Sequence, residues 1–126
     1  MKTIRMILRV LFAIFFVAAG INHFRQPAFY ERMIPAWLPL PSLLVSLSGV
    51  CEIAGGVLLL VPRTRRLAAW GLIALLIAVY PANIHMAIHP ELFPAFSRKA
   101  LLIRLPLQFL LIAWAWMYAR RERPAL

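Results

Sequence analysis

The side chains able to do chemistry in this chain are few, and each is embedded in, or closes, an apolar run. Glu52 lies inside the run from Leu43 to Val61. As a helix this run is long enough to cross a hydrocarbon layer about 30 Å thick, with Glu52 close to the middle. An acidic group there costs roughly 2.5 to 3.5 kcal/mol, so Glu52 is expected to be protonated, paired or turned toward a wet interior. Ser48, Glu52 and Gly56 share one helical stripe, and Gly49 and Gly55 flank it, so a second helix can come close. Asn22 and His23 end the first apolar run, Asn83 and His85 end the third, and Arg104 and Gln108 stand one turn apart in the fourth. A histidine at a span end is more often solvated than functional, and His23 is a candidate because of its company. His85 and His89 have the i, i+4 spacing of a shared metal ion, but Pro90 follows at once and no third ligand is evident. No metal site is expected.

The elements that must position these groups follow from composition. Of 126 residues, 63% are hydrophobic and 14% charged, with mean hydropathy +0.83. A soluble domain of this size has too little interior to hide so much apolar surface. The expected fold is an all-α membrane protein, a single membrane domain over 1–126. It is a bundle of four transmembrane helices at about 6–24, 42–61, 67–87 and 100–119. A signal peptide would also begin with Lys2, Arg5 and an apolar run, and Ala18-Ala19-Gly20 resembles a cleavage site. The run is expected to stay as the first span. Between the first and second spans, Arg25 to Pro41 holds Pro27, Pro35, Pro39 and Pro41 with Phe29, Tyr30 and Trp37, which predicts a short Pro-rich interfacial loop with one helical turn or two. Pro81 is expected to kink the third span.

The net charge of +10 comes in short basic clusters between apolar runs, which argues for topology and against nucleic acid. Nine Lys and Arg (Lys2, Arg5, Arg9, Arg63, Arg65, Arg66, Arg120, Arg121, Arg123) fall on one side and four (Arg25, Arg32, Arg98, Lys99) on the other. The positive-inside rule then places both termini and the Arg63–Arg66 turn on the cytoplasmic side. Cys51 stands alone, so an internal disulfide is impossible and a packing role is expected. In this orientation the polar groups of all four spans share the outer half of the bilayer. Groups at one depth should face one another, since lipid penalises each separately. A ligand-binding pocket of His23, Ser48, Glu52, Asn83, His85, Arg104 and Gln108 is expected, with Arg104 as counter-ion to Glu52 and the Pro-rich loop as cover.

Several segments in order, Gly20-x-x-His23-Phe24-x-x-Pro27, Ile34-Pro35-x-x-Leu38-Pro39, Ser48-Gly49-x-x-Glu52-x-x-Gly55-Gly56 and Pro81-Ala82-Asn83-x-x-Met86-Ala87, resemble the DoxX-like family of small bacterial membrane proteins. The resemblance spans about residues 20 to 87. It implies a four-helix bundle in the bacterial inner (plasma) membrane and an association with membrane redox systems, the family being named after a subunit associated with thiosulfate:quinone oxidoreductase. His23, Glu52 and Asn83 are the matching polar positions. The chain has no dinucleotide fingerprint, haem-attachment CxxCH or paired thiols of its own, so no independent catalytic motif is present.

Three functions fit these residues. The first is an accessory or assembly subunit of a membrane redox system, with a membrane protein partner or a second copy of the chain packed on the small residues. The second is a binder of quinone or another small lipophilic ligand in the outer pocket, with His23 or Arg104 on a carbonyl and Glu52 relaying a proton. The third is proton or small-solute transport through Glu52, which the apolar inner halves disfavour.

Overall fold

A computed structural model of the chain describes residues 2–120; Arg121 and Arg123 of the basic anchor lie outside the described residues. The described residues are helical, with no strand among them: α1 Lys2–Arg25, α2 Pro27–Met33, α3 Pro41–Leu59, α4 Arg65–Ile88 and α5 Arg98–Ala119, plus a single 3₁₀ turn at Pro90–Leu92. Four of the five α-helices (α1, α3, α4, α5) are long and apolar enough to cross a membrane. They outrun the expected apolar limits at their starts, because Lys and Arg are good helix formers and carry α1 back to Lys2 and α5 to Arg98.

Proline sets where two of the helices begin. Pro27 and Pro41 occupy the first positions of α2 and α3, where a missing N–H breaks no hydrogen bond. Leu40, held between Pro39 and Pro41, enters α3 with φ of 53°, the left-handed region, at a cost of about 1–2 kcal/mol. That reversal sends the chain from the short helix α2 back into the bundle. At α5 the hydroxyl of Ser97 accepts a hydrogen bond from the Ala100 N–H at 3.1 Å, a side-chain cap on an otherwise open helix end. Ser97→Ala is expected to cost about 1 kcal/mol, read as a lower unfolding midpoint in detergent with faster amide exchange confined to the first turn of α5.

The long helices pack as pairs. α1 lies against α3, α4 against α5, and α3 against α4. At the end carrying the Arg63–Arg66 turn, Phe12, Phe16, Leu59, Ala69, Leu72 and Tyr118 form one core, closed by Phe12 against the edge of Trp114 at 4.5 Å. Arginines finish the helix ends there. Arg65 Nε donates to the Leu59 carbonyl at 3.0 Å and Arg66 Nε to the Ala119 carbonyl at 3.1 Å, so the basic turn caps the C-termini of α3 and α5. At the opposite end α2 and the 3₁₀ turn close over a second core of Met33, Met86, Phe93 and Leu101, with Phe29, Tyr30 and Phe96 against it. The expected cover over this end is thus a formed helix. Large apolar side chains such as Ile14, Leu47, Ile77 and Leu110 stay exposed around the outside of all four long helices.

Candidate functional site: a cavity under the capped end

Between the two cores lies a cavity of about 630 Å³, touching Phe16 and Leu76 of one and Tyr30 and Met33 of the other. His23, Ser48, Glu52, Asn83, Arg104 and Gln108 line it, and apolar side chains make up most of the remaining wall. His85 does not line it. At about 100° per residue His85 is roughly 200° around α4 from Asn83, so the two point to opposite sides. The His85 ring sits instead 4.6 Å from that of His89, which approaches Glu91 Oε1 at 3.2 Å. Its own backbone N–H, and after it the His89 ring, hold the exposed Glu91 carboxyl below the usual carboxylate range. Among the described residues no three His, Cys, Asp or Glu side chains are grouped so as to hold a metal ion.

On the α1–α3 wall the helices touch almost backbone to backbone, because glycine faces glycine. A Cβ added at Gly20 would stand 2.6 Å from the Gly49 carbonyl oxygen, and one at Gly49 would meet the Cβ of His23 at 3.0 Å. This approach brings His23 Nε2 to 3.3 Å from Glu52 Oε2, with both side chains nearly buried. His23 Nδ1 lies 3.1 Å from the Val45 carbonyl oxygen, which can only accept, so Nδ1 carries a proton. In a neutral ring Nε2 is then a bare lone pair. The contact with Glu52 is attractive when one proton lies between them, on the carboxyl or on the ring, and repulsive when there is none. Glu52 Oε2 is fully buried and makes no well-directed hydrogen bond among the described residues, so the 3.3 Å contact with His23 is the polar interaction it has there. Tyr30 of α2 covers the pair: its ring centre is 4.0 Å from that of His23, and its hydroxyl accepts from Asn22 Nδ2 at 2.7 Å. Ser48 turns its hydroxyl to the Leu44 carbonyl of its own helix at 2.7 Å.

On the α4–α5 wall a polar ladder runs in one direction. Arg104 Nη2 reaches Asn83 Oδ1 at 3.4 Å, Asn83 Nδ2 donates to Gln108 Oε1 at 2.8 Å, and Gln108 Nε2 donates to the Leu76 carbonyl at 2.7 Å. Pro81 has no N–H for the Ile77 carbonyl, so α4 lacks one rung beside Leu76. Asn83 is therefore oriented with its oxygen toward the guanidinium. The expected Glu52–Arg104 ion pair does not form. α3 packs on α1 and α4 while α5 packs on α4, so the two groups stand on different walls, and His23 reaches Glu52 across the closest helix contact.

Sequence reasoning missed Tyr30 and Cys51, both of which line the cavity. Tyr30 is a phenol on the one helical turn of a Pro-rich cover, which was the available signal. Cys51 is exposed, next to Glu52 on the flank of α3 that reaches the cavity.

A family model described as a domain of unknown function, DUF8561, matches residues 12–119. The chain belongs to the DUF8561 family. This overturns the resemblance to the DoxX-like family. The segments that carried the resemblance have plain packing duties in this fold: Gly20 and Gly49 allow close helix contact, Pro27 starts α2, and Asn83 joins two helices. Unrelated helical bundles meet the same demands with the same residue types. No curated protein and no solved structure matches the DUF8561 chain.

Proposed function

We propose that this DUF8561 protein spans a membrane four times and binds a small lipophilic molecule in the cavity under its capped end. The membrane reading rests on the four long apolar helices and on the apolar side chains exposed around them, which water would penalise and lipid accepts. The basic Arg63–Arg66 end faces the cytoplasm on the positive-inside rule, so the cavity opens in the outer half. The binding reading rests on one observation: polar groups from α1, α3, α4 and α5 converge on a cavity of ligand size whose walls are otherwise apolar.

The cavity is also continuous with the lipid-facing surface, since Phe15, Leu47, Cys51 and Ala78 are exposed and line it too. A lipophile can reach it from the side without entering water. An accessory role fits less well, because the small and polar residues that a partner would use are engaged within the chain. Gly20, Gly49 and Gly56 face helix neighbours, Gly55 faces Leu72, and Asn83 bonds Gln108.

Filling the cavity tests this. Val79→Trp, on the wall from α4, is expected to leave the far-UV helical signal intact and to remove a lipophile detected in the purified wild-type protein by mass spectrometry after gentle detergent extraction. A wild-type protein that carries no such molecule, and whose unfolding midpoint is unmoved by added fatty acid, fatty alcohol and quinone, would overturn the proposal.

A further inference from the structure

The cavity carries a cation that no carboxylate among the described residues neutralises. Its lining holds one carboxyl, Glu52, and two basic groups, His23 and Arg104. Glu52 meets His23, and the Val45 carbonyl keeps Nδ1 of that ring protonated, so the His23–Glu52 contact holds one proton and no net charge. An ionised Glu52 facing the Nε2 lone pair of a neutral ring at 3.3 Å is the arrangement this geometry disfavours. Nothing acidic then remains for Arg104. Among the described residues its hydrogen bond is to the neutral Asn83 Oδ1 at 3.4 Å, the Tyr30 phenol is within electrostatic range, and the Phe96 ring lies 6.0 Å from its guanidinium carbon; none of these is a carboxylate. A guanidinium presents five donors in a planar fork suited to two oxygens of one anion. Asn83, itself held by the Gln108–Leu76 ladder, meets one nitrogen of that fork, and Arg104 lines the cavity.

We infer that the ligand is an acidic amphiphile, whose carboxylate or phosphate head pairs with Arg104 and whose hydrocarbon chain lies along the apolar walls. This rests on the cavity reading and narrows it. A neutral lipophile such as a quinone would fill the same space and leave the half-buried guanidinium without a counter-charge in a largely apolar cavity, where an unpaired charge is costly. Free fatty acids and lipid phosphate monoesters both have the required head and tail.

The test compares three single-chain probes of one length, hexadecanoate, hexadecyl phosphate and hexadecanol, titrated into the full chain in a neutral maltoside detergent with the unfolding midpoint as readout. The acids are expected to bind at least about tenfold more tightly than the alcohol, the factor of a charge-assisted hydrogen bond in a site of this kind. Arg104→Gln should erase that preference and Arg104→Lys keep part of it. A stronger response to the carboxylate identifies fatty acid as the source, and a stronger one to the phosphate identifies lipid. Equal binding of alcohol and acids, unchanged in Arg104→Gln, would overturn the acidic assignment and leave the lipophile cavity standing. No binding of any of the three would overturn the acidic assignment, and with no co-purified lipophile and no response to quinone it would overturn the cavity reading as well. Should Arg104→Gln fail to fold, the acid-to-alcohol ratio in the wild type and in Arg104→Lys decides the question.

Discussion

Gly20→Ala is expected to destabilise the bundle by about 1–3 kcal/mol, the usual cost of forcing a methyl into a filled contact, and toward the upper end because backbone stands in the way. The added Cβ would lie 2.6 Å from the Gly49 carbonyl oxygen and 2.7 Å from Ile53 Cγ1. A carbonyl on a packed helix cannot rotate aside as a side chain can, so α1 and α3 must separate. Gly71→Ala is the matched control, since nothing lies within 4 Å of a Cβ there, and removing a helical glycine should gain about 0.5–1 kcal/mol. Reversible unfolding in mixed micelles, followed by the far-UV helical signal, should place the two variants on opposite sides of the wild type. A Gly20→Ala midpoint equal to that of Gly71→Ala would show that the α1–α3 contact is looser than its geometry. The same contact sets the His23–Glu52 distance, so if the cavity binds a lipophile as proposed, Gly20→Ala should also weaken that binding, although Gly20 does not line the cavity.

Four long helices and their order were legible because runs of apolar residues between basic clusters leave few other arrangements. The helix limits were less so, as Lys2 and Arg98 are good helix formers whose place in a helix no hydropathy pattern reveals. That polar groups of four helices share one level could be read from their positions along the apolar runs, which is why six of the seven candidate residues surround one cavity. Depth says nothing of azimuth. His85 is two residues from Asn83, close in height and nearly opposite in direction, and only the helical rotation separates them. Pairing was harder again: charge alone favours Glu52 with Arg104, but which helices are neighbours decides who meets, and Gly20 against Gly49 gives that place to His23. The DoxX-like resemblance failed for a related reason, since glycines, prolines and a buried asparagine report packing demands more faithfully than ancestry.

His23→Leu is expected to be more damaging than Glu52→Gln, and the difference locates the shared proton. With the imidazole gone, Glu52 keeps a fully buried oxygen and no partner from α1, the situation in which removing one member of a buried pair costs about 3–5 kcal/mol. Glutamine at position 52 instead offers an N–H to His23 Nε2, just as a protonated carboxyl would, while Nδ1–H stays on the Val45 carbonyl. Its cost should stay within about 1 kcal/mol, the net worth of one neutral hydrogen bond. The double replacement His23→Leu with Glu52→Leu should recover much of the loss, because two apolar groups in an apolar wall leave nothing unpaired. Unfolding midpoints of the three variants in one detergent check the ranking. The ranking also bears on Arg104. A Glu52→Gln variant as unstable as His23→Leu would place the shared proton on the ring, an imidazolium–carboxylate pair that still has no net charge. A Glu52→Gln variant more stable than the wild type would mean that Glu52 is ionised against the bare Nε2 lone pair, a repulsion that glutamine relieves; the cavity would then contain its own counter-charge to Arg104, and an acidic ligand would have no electrostatic reason to enter.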